Sequence, residues 1–164
     1  MTRAAFVLVV DDEPDIRELL AQTLRLAGFD VSCAATGIEA MQRLGGRAPD
    51  LVVLDVLLPD LDGFEIARMM RRAGHGMPVL FLTAPGAAGR CTGPAGEADA
   101  CVAKPFRLEE VVLRIRALLR RTRDTAAAPS RPDGPPLRPE GPPAETPART
   151  PVRRPAADLH WVPW

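Results

Sequence analysis

Asp55 closes the apolar run Leu51-Val52-Val53-Leu54 and is followed by the loop sequence Val56-Leu57-Leu58-Pro59-Asp60-Leu61-Asp62-Gly63. A carboxylate at the C-terminal end of a buried strand lies where open α/β sheets keep their chemistry. Asp11 and Asp12 end another apolar run, Ala5 to Val10. Thr83 ends a third, Val79 to Leu82, and Lys104 a fourth, Cys101 to Ala103. Three acids, a hydroxyl and an ammonium therefore arrive at one rim. A cluster of carboxylates suits a hard cation with oxygen ligands, and a lysine beside it suits an anionic group.

The elements that must carry these residues alternate in type. Phe6 to Val10 reads as a strand. A helix follows, with Pro14 early, where a missing N–H costs little. Its apolar positions Ile16, Leu19, Leu20, Leu24 and Ala27 keep the 3.6-residue period, and Gly28 ends it. Val31 to Ala34 is a weaker strand. A second helix spans about Gly37 to Leu44, with Thr36 as N-cap and Gly45-Gly46 as its stop. Leu51 to Asp55 suits a central strand buried on both faces. A third helix covers about Phe64 to Arg72. Val79 to Leu82 and Ala100 to Ala103 are the fourth and fifth strands. A last helix runs from about Leu108 to Arg121, with Leu108, Val111, Val112, Ile115, Leu118 and Leu119 on one face. Between the last two strands, Pro85-Gly86, Gly89, Gly93-Pro94 and Gly96 argue against a regular helix, since Gly costs about 1 kcal/mol and Pro about 3 kcal/mol in a helix interior.

The chain has 164 residues and a formal net charge of +0, which gives no global pull toward nucleic acid or anionic membrane. Cys33, Cys91 and Cys101 show no CxxC spacing, so a disulfide framework or zinc site is not expected and a reducing cytosol fits. Cys33 and Cys101 read as small buried side chains. Neither a signal peptide nor a membrane span is read, so the expected location is cytoplasmic. Of 18 prolines, 11 lie from Pro129 onward, and apolar periodicity stops there, so a disordered linker or tail is expected. His75, His160 and the loop acids Asp60 and Asp62 are assigned no chemical role; Asp62-Gly63 reads as a surface turn.

Taken in order, Val9-Val10-Asp11-Asp12-Glu13-Pro14, Leu54-Asp55-Val56-Leu57-Leu58-Pro59, Asp62-Gly63, Leu82-Thr83-Ala84 and Lys104-Pro105-Phe106 resemble the receiver domain of two-component response regulators. The resemblance implies a receiver over residues 5–121, with 122–164 as a disordered tail and no complete effector domain. It implies a flavodoxin-like, doubly wound five-stranded parallel sheet of order 2-1-3-4-5. It implies Asp55 as phosphoacceptor from a sensor histidine kinase. It implies Mg²⁺ held by Asp11, Asp12, Asp55 and the Leu57 backbone carbonyl. Lys104 and Thr83 would bind phosphoryl oxygens, and Pro105 matches a family proline that follows a cis peptide.

The resemblance also has departures. The family usually carries Tyr or Phe where this chain has Cys101, and the helix expected after strand four falls on the Gly/Pro-rich stretch. Output is then expected to be weaker, or to use an order change over Pro85 to Ala98. Leu57 and Pro85 occupy the two variable positions beside the phosphoryl site. Neither side chain can hydrogen-bond an attacking water, which implies slow self-dephosphorylation. Three outputs compete: a winged-helix (OmpR-like) transcription regulator lacking its effector, a stand-alone receiver acting by protein contact, and a flavodoxin-like enzyme. No recognition helix is present, so specific DNA binding by this chain alone is not expected. A homodimer through the face of strand four and the last helix remains open. The enzyme reading suffers because Asp11-Asp12-Glu13 would repel phosphate without a metal, and because an aspartyl phosphatase would carry Asp-x-Asp on strand one.

Overall fold

The computed structural model describes residues 2–87, 91 and 99–127. Five strands, β1 (Phe6–Val10), β2 (Asp30–Ala34), β3 (Leu51–Asp55), β4 (Val79–Thr83) and β5 (Ala100–Ala103), form one parallel sheet of order β2-β1-β3-β4-β5. Among the described residues four helices accompany it: α1 (Pro14–Leu26), α2 (Gly37–Leu44), α3 (Gly63–Arg72) and α4 (Leu108–Ala127). This is the expected doubly wound sheet.

Alternation along the strands divides the core into two layers. Val7, Val9, Leu51, Val53, Leu80 and Leu82 pack with Leu20 and Leu24 of α1 and Val111, Ile115 and Leu118 of α4. Leu8, Val10, Val52, Leu54 and Phe81 pack with Ala40 and Leu44 of α2 and Phe64, Ile66 and Met70 of α3. Every residue of β3 and β4 is buried, which is why these runs are continuously apolar rather than alternating. The Phe64 and Phe81 rings lie with centroids 4.6 Å apart.

Local signals account for the helix ends. Pro14 opens α1 at its first turn, and Gly28, at φ 94°, turns the chain away after it. The Thr36 hydroxyl accepts the Glu39 N–H at 3.1 Å, and the Glu39 carboxylate reaches back to the Ala35 N–H at 2.8 Å, a reciprocal cap on α2. Two expectations need correction here. Asp60 is not idle loop surface, because its two oxygens accept the Gly37 and Ile38 N–H groups at 2.9 Å each, capping α2 from across the molecule. Asp62 is the N-cap of α3, accepting the Phe64 N–H at 2.8 Å. A third correction concerns α4, which continues past Arg121 to Ala127 and so enters the stretch assigned to the tail. The rest of that assignment, residues 128–164, lies outside the described residues, as do 88–90 and 92–98 of the stretch where a regular helix was not expected.

The Asp60 cap carries a pH signature. Burial works to raise this carboxyl, but the N–H donors of Gly37 and Ile38 outweigh it and hold the group below its ordinary 3.8. A depressed carboxylate contributes stability that is complete above its unfolded pKa and is lost as pH falls through the lower folded value. Asp60→Ala should therefore destabilise the protein by about 1 kcal/mol at neutral pH. Urea unfolding of the two proteins at pH 7 and in acid reads this, and the gap should narrow in acid. A gap that persists once the Asp60 carboxyl of the parent is protonated would assign the effect to packing instead.

Candidate phosphoacceptor site

The site forms where the sheet order reverses. β1 and β3 are neighbours, while their following helices cover opposite faces, so the loops after them part and leave a crevice at their carboxyl ends. Asp11 and Asp12 leave β1 into this crevice and Asp55 ends β3. The three carboxylates each offer an oxygen within 4.8 Å of the others. Asp11 is fully buried, Asp55 is 4% exposed, and Asp12 faces solvent. Backbone donors orient the buried pair: Asp11 Oδ1 accepts the Glu13 N–H at 2.9 Å, and Asp55 Oδ1 accepts the Leu57 N–H at 3.0 Å. Arg17 of α1 donates to the Asp11 carbonyl at 2.8 Å and fixes the turn between β1 and α1.

Lys104 enters from the end of β5. Its Nζ donates to Asp55 Oδ2 at 2.9 Å and to Asp11 Oδ2 at 3.3 Å, and lies 3.5 Å from Glu13 Oε1. The strand is held by the Lys104 N–H donating to the Thr83 carbonyl at 2.7 Å, and the Lys104–Pro105 peptide is cis. Lys104 is the single lysine of the chain; the other 20 of its 21 basic residues are arginines. That singularity is a sequence signal that motif reading passed over.

Electrostatics follow from burial. Burial pushes the Asp11 carboxyl up; the Glu13 N–H opposes this, the Asp55 carboxylate adds to it, and Lys104 offsets part of it. Burial works to lower the Lys104 ammonium, yet its hydrogen bond to Asp55 and the charges of Asp11 and Asp55 outweigh that, so it lies above its ordinary value. One ammonium thus faces three clustered carboxylates. This all-oxygen, under-compensated donor set fits a hard divalent cation.

Thr83 completes the rim. It ends β4 one residue past Leu82, the β4 partner of Asp55. Its hydroxyl is fully buried and, among the described residues, has no hydrogen-bond partner. Buried polar atoms are normally satisfied, so this one marks a place for a group that arrives from outside. Beside Lys104 an apolar hollow of about 460 Å³ opens, lined by Ile16, Leu19, Pro85, Lys104, Pro105 and Phe106.

All the residues read from the strand ends, Asp11, Asp12, Asp55, Thr83 and Lys104, therefore meet at one end of the sheet. Leu57 lies beside Asp55, 63% exposed as a residue and with its N–H on the acceptor carboxylate. One contributor was missed and one cysteine reading needs correction. Gly63 packs on the Asp55 backbone, so a Cβ there would fall against the Asp55 carbonyl oxygen and lie 2.8 Å from Val56 Cα. Cys101 is not a free buried thiol: it is bonded to Cys91, and both are only partly buried. Cys33 is free and half-buried, and burial pushes its thiol up.

The response regulator receiver domain profile matches residues 7–116, and this chain belongs to that family. It is 47% identical over 117 residues to TcrX of Mycobacterium tuberculosis, an alignment covering 71% of this chain and 50% of TcrX. It is 44% identical over 125 residues to the response regulator MprA of Mycobacterium bovis, covering 76% of this chain and 54% of MprA. The chain thus spans about half the length of the curated relatives it matches. The receiver domain of the Francisella response regulator 1452 superimposes with a TM-score of 0.67 at 28% identity, over 72% of this chain and 98% of that one. The BeF3-activated DrrB receiver domain does so with a TM-score of 0.64 at 30% identity, over 72% and 99%. Among the described residues no helix is long and apolar enough to cross a membrane.

Proposed function

We propose that Asp55 accepts a phosphoryl group from a phosphohistidine of a sensor histidine kinase and that the change of state at this end of the sheet controls an output. The observation that carries this reading is the orphaned Thr83 hydroxyl, buried at the same rim as the Lys104–Asp55 pair. In the transfer, an Asp55 carboxylate oxygen forms a bond to phosphorus and the phosphorus–nitrogen bond breaks, with the imidazole leaving. Lys104, already on Asp55 Oδ2, would neutralise the phosphoryl oxygens, and the Thr83 hydroxyl would donate to one of them. Asp11, Asp12, Asp55 and the Leu57 carbonyl would hold Mg²⁺, which supplies positive charge between two anionic reactants. The protein is thus a phosphoacceptor that assists its own modification rather than a turnover enzyme. Leu57 and Pro85 offer no side-chain hydrogen bond to water, which supports a long-lived phosphoryl group.

For the output, the name of TcrX describes a transcriptional regulatory protein, and we carry that class over to the whole protein, acting in the cytoplasm. Signalling by protein contact alone, through a homodimer or another partner, is the second reading, favoured by the lack of a DNA-recognition helix among the described residues.

The test is intact mass after incubation with acetyl phosphate and Mg²⁺. One added phosphoryl group is expected, absent in Asp55→Ala and absent without the metal. Following the adduct over time reads its lifetime. A folded protein that gains no phosphoryl group under these conditions would overturn the reading.

A further inference from the structure

We propose that Asp60 is a positioning residue for the metal site: its carboxylate ties the loop between β3 and α3 to the start of α2 and so keeps the Leu57 carbonyl in place beside Asp55. The inference rests on the function proposed above, in which that carbonyl is a ligand to Mg²⁺. Asp60 is not itself among the groups assigned to the ion or to the phosphoryl group, and it acts through the backbone between itself and Leu57.

The loop covers residues 56–62. At its neck the Val56 N–H donates to the Leu82 carbonyl at 3.0 Å, and the Val56 carbonyl accepts the Gly63 N–H at 2.8 Å. Leu57 pairs with Asp62 across the loop as an isolated antiparallel bridge, and its N–H donates to Asp55 Oδ1 at 3.0 Å. The tip, Leu58 to Leu61, reaches beyond these bonds, with Leu58 and Leu61 packed against the core layer that α2 and α3 cover. Asp60 supplies the polar tie there. Its Oδ1 accepts the Gly37 N–H and its Oδ2 the Ile38 N–H, each at 2.9 Å. Two bonds from one carboxylate to successive helix-start donors fix orientation as well as distance. Their far end is firm, because α2 buries Ala40 and Leu44 in the same layer. Pro59 lies between the tie and Leu57, and its ring fixes its φ, so a shift of Asp60 is passed along the chain. Leu57 is 63% exposed, and its own side chain gives it little anchorage. A carbonyl ligand has no side-chain torsion with which to adjust, so its place is set by its loop.

The test measures Mg²⁺ affinity by calorimetry on the full chain at neutral pH, and the backbone amide NMR signals of Asp55, Val56 and Leu57 before metal is added. Asp60→Ala should weaken Mg²⁺ binding roughly 10-fold, the lower end of the loss when a group that orients a ligand is removed, and should move those three signals. Thr36→Ala is the control. It removes the side-chain cap of the same helix at a similar cost in stability but leaves the tie to the loop, so it should bind Mg²⁺ as the parent does. Asp60→Asn drops the charge and keeps an acceptor oxygen, so it should recover most of the affinity. Parent-like affinity in Asp60→Ala would overturn the proposal. An equal loss in Asp60→Asn would also do so, by assigning the effect to charge, and an equal loss in Thr36→Ala by assigning it to the helix. A parent that binds Mg²⁺ but gains no phosphoryl group from acetyl phosphate would sink only the function. Phosphorylation of the parent, with undiminished Mg²⁺ affinity in Asp60→Ala, would sink only the positioning role. A parent that binds no Mg²⁺ would overturn both.

Discussion

Lys104→Ala should slow phosphoryl uptake from acetyl phosphate by roughly 10²- to 10³-fold, the usual loss when one preorganised donor to a developing anion is removed. Lys104 Nζ is 2.9 Å from Asp55 Oδ2, 3.3 Å from Asp11 Oδ2 and 3.5 Å from Glu13 Oε1. Without it, the incoming phosphoryl group meets clustered carboxylates with no fixed cation from the protein. Lys104→Arg should not restore the rate. A guanidinium is a broad planar fork, whereas this corner holds a compact ammonium touching acids from two strands. Single-turnover intact-mass time courses give the rates. Because Lys104 is the single lysine of the chain, selective ¹⁵N-lysine labelling yields one side-chain signal that should move on phosphorylation. Uptake by the alanine variant at nearly the parent rate would reduce Lys104 to a structural ion pair.

The strand ends made this site legible before any coordinates. Continuous apolar runs are recognisable, and each is punctuated at its C-terminal end by a polar residue, namely Asp11, Asp55, Thr83 or Lys104. What escaped depended on contacts that local patterns do not encode. Asp60 caps a helix start 23 residues earlier in the chain, so no spacing rule connects them. Cys91 meets Cys101 only once β5 has its place and register beside β4, and three cysteines without a motif do not announce a pair. The end of α4 was missed for a different reason. Its periodic apolar face stops at Leu119, but nothing there terminates a helix. The Thr122 and Thr125 hydroxyls bond back to the carbonyls of Leu118 and Arg121, and the helix runs on to Ala127, two residues before Pro129. Periodicity marks where a helix is buried, while caps and prolines mark where it ends.

Gly63 illustrates the same gap and supports the second large effect. The pair Asp62-Gly63 reads as a surface turn, yet Gly63 is buried and its N–H donates to the Val56 carbonyl at 2.8 Å. A Cβ on Gly63 would fall against the Asp55 carbonyl oxygen, 2.8 Å from Val56 Cα and 3.1 Å from the Asp55 carbonyl carbon. All three are backbone atoms of the strand end that carries the acceptor, so they cannot yield without moving Asp55. Gly63→Ala should therefore cost about 1–3 kcal/mol of stability by overpacking. It should also slow phosphoryl uptake on the order of 10²-fold, since a displacement near 1 Å at a reacting group has that effect. Gly37→Ala is the matched control. The nearest atom to its added Cβ is Ile66 Cδ1 at 2.5 Å, the far end of a flexible side chain, so its cost should stay below about 1 kcal/mol with uptake unchanged. Urea midpoints and single-turnover uptake for both variants measure the difference. If Gly63→Ala matches the control in both, the backbone behind Asp55 is softer than this packing implies, and the glycine serves only the turn.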